Sequence, residues 1–515
     1  MRAPFRNEPL TDFTQPAARA AFEQALAQVE REFDRDYPLV IAGEPVYTGA
    51  WIVSEDPCQR GRQVGRVARA TPELAERALA AAWDAYPDWS HLAPAARARV
   101  LWRAAALLRQ RRHVFSALLV YEVGKTWPEA DADTAEAIDF LEYYGREMVR
   151  LAGPVPLPYT AGEENELRYE PLGAGLVVAP WNFPLAILCG MTSAAIVTGN
   201  TVVLKPSSLA PVVAARFVEL LAEAGLPPGV VNFLPGAGAE VGDRLAAHPR
   251  TRFVSFTGSR EVGAHLYALA AQVQPGQRWL KRVVAEMGGK NAIVVDETAD
   301  LDAATAGIVT SAFGYQGQKC SACSRVVALD AVYDALLERV VERTAALRVG
   351  PARDPATDVA ALIDRAQYEK VLHYLEIGRR EGRLRHGGEP GDASGWYVQP
   401  TVFADVAPDA RIAQEEIFGP VVAFLRAADF RQAIAIANGT VYGLTGAVYS
   451  RDRARLEYAR REFQVGNLYF NRKCTGALVG VHPFGGFAMS GTDAKAGGPD
   501  HLLNFLQAKA VAERF

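Results

Sequence analysis

Short β-branched runs separated by segments rich in Ala, Leu and Glu dominate the middle of this chain. Between residues 174 and 296 the runs are AGLVVA, TVVL, GVVNFL, RFVSF, RVVAE and NAIVVD. Runs that are apolar throughout belong to strands buried on both faces, and strands that alternate with helices build a parallel, doubly wound sheet. A second pattern of the same kind begins at Asp300 and continues to about residue 480, with RVVALD, VVAFL and GAVYS as its strands. Residues 17–33 and 73–150 instead carry apolar residues at helical spacing and read as a helical arm and a long helical region. The stretch from Pro171 to Leu204 lacks any charged residue and is long enough to span a membrane. Pro180, Trp181, Asn182, Pro184 and Asn200 break it into strand-length and short-helix pieces, so it reads as the buried layer of an α/β sheet.

Composition narrows the function. The chain has 515 residues, 50% hydrophobic and 22% charged, which excludes wholesale disorder. Lys and Arg number 55 against 59 Asp and Glu, a net charge of −4 with no basic block, which argues against nucleic acid as a partner. Five cysteines (Cys58, Cys189, Cys320, Cys323 and Cys474) are too few and too odd in number for a disulfide framework. With no apolar core near the N-terminus, and so no expected signal peptide, a reducing cytoplasm is the expected compartment.

Neither common nucleotide fingerprint is met. Gly236, Gly238 and Gly242 have one residue too many in the second gap, and Gly258…Gly263 is followed by Ala264 rather than Lys. What remains is the run RFVSF entering Thr257-Gly258-Ser259 and then a helix, where free N–H groups can hold an anion such as a pyrophosphate. Cys320 and Cys323 form one C-x-x-C. A zinc site would need two more ligands, which leaves a redox dithiol, an inert pair, or a single nucleophile whose thiolate is favoured by a helix N-terminus or by Lys319. Glu286 ends a strand before two glycines and could act as a base on water. Asn182, between two prolines, could donate to an oxyanion, and Lys205 could donate to ribose hydroxyls. The eight His are scattered, no metal-ligand cluster is visible, and His482 reads as a loop residue beside Pro483.

In order along residues 180–486, PWNFP, KPS, GLPPGVVNFLPG, FTGS, EMGGKN, GQKCSACSR, EEIFGPV, YGL and PFGG strongly resemble the NAD(P)+-dependent aldehyde dehydrogenase superfamily. The resemblance covers nearly the whole chain. It implies an α/β fold with a Rossmann-like cofactor domain (41–149 and 172–288) behind an N-terminal helical arm (1–40). An α/β catalytic domain (289–488) and a small β oligomerisation flap (150–171 and 489–515) complete it. It implies Cys320 as nucleophile, Glu286 as general base and Asn182 as oxyanion donor together with the Cys320 backbone N–H. Lys205, Ser208, Gly258, Ser259, Glu416, Phe418 and Trp181 would contact the cofactor, and Cys323 would be structural.

Three segments, AEAIDFLEYY, QGQKCSACSR and NLYFNRKCTGALVGVHPFGG, resemble the branch of the superfamily that oxidises L-glutamate γ-semialdehyde, the open form of pyrroline-5-carboxylate. That resemblance implies a substrate α-carboxylate held by Ser321 and by the Gly476 and Ala477 N–H groups, an anion nest needing no buried Arg or Lys. Phe183 and Phe484 would flank the aliphatic chain, and Glu136 would approach the α-ammonium. The cofactor is expected to be NAD, with NADP possible, because Ser208 replaces an acid that many members place against the adenosine ribose. The apolar C-terminal arm is expected to be buried by pairing, in at least a dimer. The competing readings are another semialdehyde dehydrogenase of the superfamily and a non-catalytic binding member.

Overall fold

The computed structural model describes residues 4–515, so the first three residues of the expected arm lie outside the described residues. The apolar runs all become strands, in two seven-stranded sheets. In the first, Ala174–Val178 lies at the centre. Thr201–Lys205 and Val231–Phe233 extend it to one side, Phe253–Thr257 and Arg282–Glu286 to the other, all parallel. Leu39–Ile41 and Glu44–Val46 add an antiparallel edge. The order reverses between Ala174–Val178 and Phe253–Thr257, and in open α/β sheets the ligand crevice lies outside the carboxyl ends of the strands at such a reversal.

The second sheet has the order Arg383–His386, Thr401–Ala404, Val421–Ala427, Cys323–Leu329, Asn291–Val295, Thr445–Tyr449 and Asn467–Phe470. Only its first pair is antiparallel. NAIVV, which follows the first set of runs in sequence, therefore pairs inside the second sheet. The carboxyl ends of the first sheet face the amino ends of the second, and the loops at both ends meet in one cleft.

Helices cover both sheets. Pro16–Arg31 is the N-terminal helix, buried along Phe22, Ala25, Leu26 and Val29. The apolar stretch 96–124 is not one helix but two, Pro94–Gln110 and Arg112–Val123, broken at Arg111. The uncharged stretch resolves into Ala174–Val178, Ala186–Val197 and Thr201–Lys205, almost wholly buried. Among the described residues no helix is long and apolar enough to cross a membrane.

Buried charges tie helix ends together. Glu122 is fully buried and accepts from Val212 N–H (2.7 Å), Val213 N–H (2.8 Å) and Ser54 Oγ (2.9 Å). It thereby caps helix Pro211–Glu223 from a neighbouring helix, where the helix dipole favours an anion. Arg97 does the converse, donating to Val197 O (2.8 Å) and Thr198 O at the end of Ala186–Val197.

Of the two flap segments, only Glu163–Pro171 and Leu506–Arg514 are strand, paired antiparallel over nine residues. Residues 489–491 return to Glu286, and His501–Phe505 is a 3-10 turn packed on the first layer. The expected burial of the C-terminal arm does not occur within the chain: beyond Leu506 every residue of this strand is exposed. A two-stranded ribbon has no third layer to cover its faces.

Replacing Glu122 with Ala strands two helix N–H groups and a hydroxyl in the core. Denaturant unfolding is expected to show a loss of about 1–3 kcal/mol, with an unchanged midpoint contradicting the cap.

Candidate active site

The loop bearing Cys320 is held in an unfavourable backbone shape. After helix Leu301–Phe313 the chain turns through Tyr315 (φ 51°), Gln316 (φ 58°) and Gly317 (φ 68°), three consecutive left-handed residues. Each non-glycine residue there costs of order 1–2 kcal/mol, so the surroundings must impose it. They do so through Gln316 Nε2, which donates to Gly124 O (2.9 Å) and Ala361 O (2.8 Å), and Tyr315 Oη, which donates to Val123 O (3.1 Å). The turn throws residues 318–322 into the cleft before strand Cys323–Leu329 begins.

Asn291 then fixes the loop. Its Nδ2 donates to Cys320 O (2.7 Å) and Ala322 O (2.8 Å), and its Oδ1 accepts from Thr445 N–H (3.0 Å) on the adjacent strand. Gly289 is needed beside it, since a Cβ there would lie 2.5 Å from Cys320 O. Asn182 is buried and its Nδ2 donates to Gln318 O (3.0 Å), which sets its amide against the same loop. Asn291 and Gln316 stand inside the quoted motifs, yet sequence reasoning gave them no role. A buried amide that holds backbone looks, in sequence, like any loop Asn or Gln.

Glu286 ends strand Arg282–Glu286 and bridges to Gly491. Its Oε2 accepts from Gly486 N–H (3.0 Å), while Oε1 is buried without a partner. Gly485 and Gly491 leave room for it, since a Cβ on either would fall within 3 Å of Oε1. Burial pushes the Glu286 carboxyl well above the usual carboxylate range. Burial, reinforced by the Glu416 and Glu286 charges, pushes the Cys320 thiol up to about 12, with the Ser321 and Cys320 N–H groups opposing the rise. The expected help from Lys319 is absent: its ammonium pairs with Glu129 at 2.7 Å. Cys323 does not pair with Cys320 either. It starts the buried strand and its thiol meets Cys474. Among the described residues no group of three or more His, Cys, Asp or Glu could hold a metal.

A second set of residues suits a dinucleotide. Ser259 caps helix Arg260–Ala271, its Oγ accepting from Val262 N–H (3.3 Å), and Gly258 N–H donates to Glu286 O (3.1 Å). The first-turn N–H groups of that helix face outward from the carboxyl end of the sheet, where an anion fits. Lys205 is buried, and among the described residues its Nζ donates only to Pro206 O at 3.4 Å, leaving further donors for hydroxyls. Glu416 is half-buried and takes Gly289 N–H on Oε1 (2.9 Å). Phe418 (φ 59°) stands edge-on to Trp181 with ring centroids 5.4 Å apart. Ser208 follows strand Thr201–Lys205 and is half-buried.

The remaining wall carries charge. Phe183 and Tyr315 enclose the Lys125 ammonium, 3.6 and 4.3 Å from the ring centroids. Lys125 pairs with Asp133 at 3.0 Å, both side chains fully buried, and Asp133 also accepts from Ala186 N–H (2.6 Å). Glu136 lies one turn beyond Asp133 on helix Trp127–Leu151, its carboxyl pushed up to about 8 by burial and by the Asp133 charge. Ser321 is buried beside Cys320. Phe484 exchanges backbone hydrogen bonds with Ala496 (2.8 and 2.7 Å), and Gly476 (φ 75°) precedes Ala477 in the loop after Asn467–Phe470. Lys125 and Asp133 went unread in the sequence because charges on a helical segment look like a solvated face.

Known proteins share this arrangement over its full length. The profile of the aldehyde dehydrogenase family matches residues 48–511. A 1-pyrroline-5-carboxylate dehydrogenase of Geobacillus kaustophilus is 62% identical over 515 residues, all of both chains. A crystal structure of 1-pyrroline-5-carboxylate dehydrogenase from Thermus with bound NAD superposes with a TM-score of 0.99 at 54% identity, again over all of both chains. Proline utilization A from Bdellovibrio bacteriovorus matches at 44% identity and a TM-score of 0.97, over 99% of this chain and 53% of that one. With the match spanning both sheets and every loop of the cleft, the chain belongs to the aldehyde dehydrogenase family.

Proposed function

We propose that this protein oxidises L-glutamate γ-semialdehyde, formed by hydrolysis of 1-pyrroline-5-carboxylate, to L-glutamate with NAD+, the second step of proline catabolism. The observation that carries the reading is the convergence of a strained, clamped Cys320 loop, the Asn182 amide and the buried Glu286 carboxyl on one cleft.

Cys320 attacks the aldehyde carbonyl. The oxyanion that forms is held by Asn182 Nδ2 and the Cys320 backbone N–H, donors fixed before the reaction begins. NAD+, when bound, accepts the hydride. Lys205, Ser259, Glu416, Phe418 and Trp181 would hold it, with Gly258 and Ser208 lining its path. The thioester left on Cys320 is hydrolysed by water that Glu286 deprotonates, its buried carboxylate a stronger base than an exposed one. Burial holds the proton on the Cys320 thiol in the resting site, and that proton passes to solvent as the sulfur attacks.

The substrate α-carboxylate lies on Ser321 Oγ and the Gly476 and Ala477 N–H groups, the aliphatic chain between Phe183 and Phe484, and the α-ammonium toward Glu136. The first sheet with its helices forms the cofactor domain and the second the catalytic domain. The exposed ribbon of Glu163–Pro171 and Leu506–Arg514 docks on a second copy of the chain, making at least a dimer. Five free cysteines suit a reducing cytoplasm.

NADH formation from pyrroline-5-carboxylate and NAD+, beside succinate semialdehyde and NADP+, tests the reading. Preference for the first pair is expected, and activity confined to the others would overturn the substrate. Asn182→Ala should lower kcat about 10²–10³-fold with the melting temperature little changed. Glu136 is protonated in the empty site below its raised pKa of about 8, and it attracts the ammonium as an opposite charge only when ionised. KM for the semialdehyde should therefore fall as pH rises from about 6.5 to about 8.5, and Glu136→Gln should abolish that dependence. An identical profile in the variant would remove Glu136 from the site.

A further inference from the structure

Behind the Gly476–Ala477 loop lies a guanidinium that the reaction scheme does not use. Arg472 Nη2 donates to Thr475 O (3.0 Å) and to Gly476 O (3.1 Å). Its Nη1 lies 3.1 Å from His482 Nε2, and its plane covers the Tyr469 ring with Cζ 4.3 Å from the centroid. His482 is itself tied to the loop, Nδ1 lying 3.2 Å from Leu478 N–H. The guanidinium thus has an aromatic floor, an imidazole on one side and two carbonyls in front.

Those two carbonyls belong to the two peptide units that matter. A trans peptide is planar, with its N–H antiparallel to its C=O, and no cis peptide occurs among the described residues. Fixing Thr475 C=O fixes Gly476 N–H pointing the opposite way. Fixing Gly476 C=O does the same for Ala477 N–H. Among the described residues neither of these N–H groups donates to a protein acceptor. Gly476 is left-handed, the conformation that lets consecutive N–H groups converge into an anion-binding concavity. A cation on the carbonyl side also polarises both peptides toward an anion on the N–H side.

We infer that Arg472 is a positioning residue that holds the Gly476 and Ala477 peptide planes with their N–H groups turned toward the substrate carboxylate, and so sets specificity for α-carboxylated aldehydes. The sequence expectation gave the nest no buried Arg or Lys, and it left out what orients the loop. The inference rests on the proposed role of Gly476 and Ala477 and deepens it.

The test compares Arg472→Met, Arg472→Lys and Ser321→Ala with the wild-type enzyme, using L-glutamate γ-semialdehyde and pentanal, which lacks the carboxylate. For Arg472→Met, KM for the semialdehyde should rise about 10–100-fold while its kcat changes less than about threefold. The ratio of kcat/KM between semialdehyde and pentanal should fall in step. Arg472→Lys keeps the charge but loses the planar group that lies over Tyr469 and reaches His482, so its donor is held less firmly on the two carbonyls and it should give a smaller rise in KM of the same kind. If Ser321→Ala raises KM while both Arg472 variants leave it at the wild-type value, the positioning role is overturned and the carboxylate site stands. If Ser321→Ala also leaves KM unchanged, the carboxylate site itself is misplaced and the inference falls with it. Should Arg472→Met fail to fold, Arg472→Lys alone decides, an unchanged KM being the contrary result. Equal losses in kcat/KM for both aldehydes would show a merely structural residue and also overturn the inference.

Discussion

A single side-chain amide ties the Cys320 loop to the strands of the second sheet. Asn291, at the start of a central strand of the second sheet, spends both Nδ2 hydrogens on the carbonyls of Cys320 and Ala322 and its Oδ1 on the Thr445 N–H of the next strand. The left-handed turn at 315–317 cannot hold its shape alone, and the buried bonds of Gln316 and Tyr315 supply the rest. Without these contacts the loop would relax toward ordinary backbone geometry, and the alignment of Cys320 with Asn182 and Glu286 would be lost. Positioning at this level is where a displacement of an ångström costs orders of magnitude in rate.

The same burial that fixes the loop sets its protonation. Cys320 and Glu286 share one cleft, and burial raises the proton affinity of both. The Glu416 and Glu286 charges add to the rise at the thiol, so an ionised Glu286 disfavours a Cys320 thiolate. That suits a reaction in which the thiol acts first and the carboxylate later acts on water. The opposing arrangement of the sheets makes this possible. Carboxyl ends of the first sheet deliver Asn182, Lys205, Ser259 and Glu286, and amino ends of the second deliver Cys320, Asn291 and Glu416, so residues remote in sequence meet without any long loop.

The strands were legible because they are apolar throughout, and a run such as TVVL or NAIVV has no other stable place. Cys320, Glu286 and Asn182 were legible through the order of motifs, not through any one of them. What stayed hidden was tertiary. Lys125 and Asp133 look like exposed helix charges until Phe183 and Tyr315 are folded over them. Arg472 looks like a loop cation until its Nη2 is seen donating to two carbonyls. The Lys319 ammonium was expected near the thiol, but Glu129, 190 residues earlier, takes it. The C-terminal strand carries apolar residues that suggested burial, and beyond Leu506 it lies exposed because among the described residues it pairs with one other strand and no layer covers the ribbon.

The central claim is that Cys320 carries the acyl group and that Glu286 releases it. It is tested most directly by acid-quenching Glu286→Gln during turnover with L-glutamate γ-semialdehyde and NAD+, then measuring the mass of the peptide containing Cys320. A glutamyl thioester on Cys320, accumulating with a burst of NADH equal to the enzyme present, is the result the account predicts. Wild-type turnover in that variant with an unmodified Cys320, or an acyl group on any other residue, would contradict it.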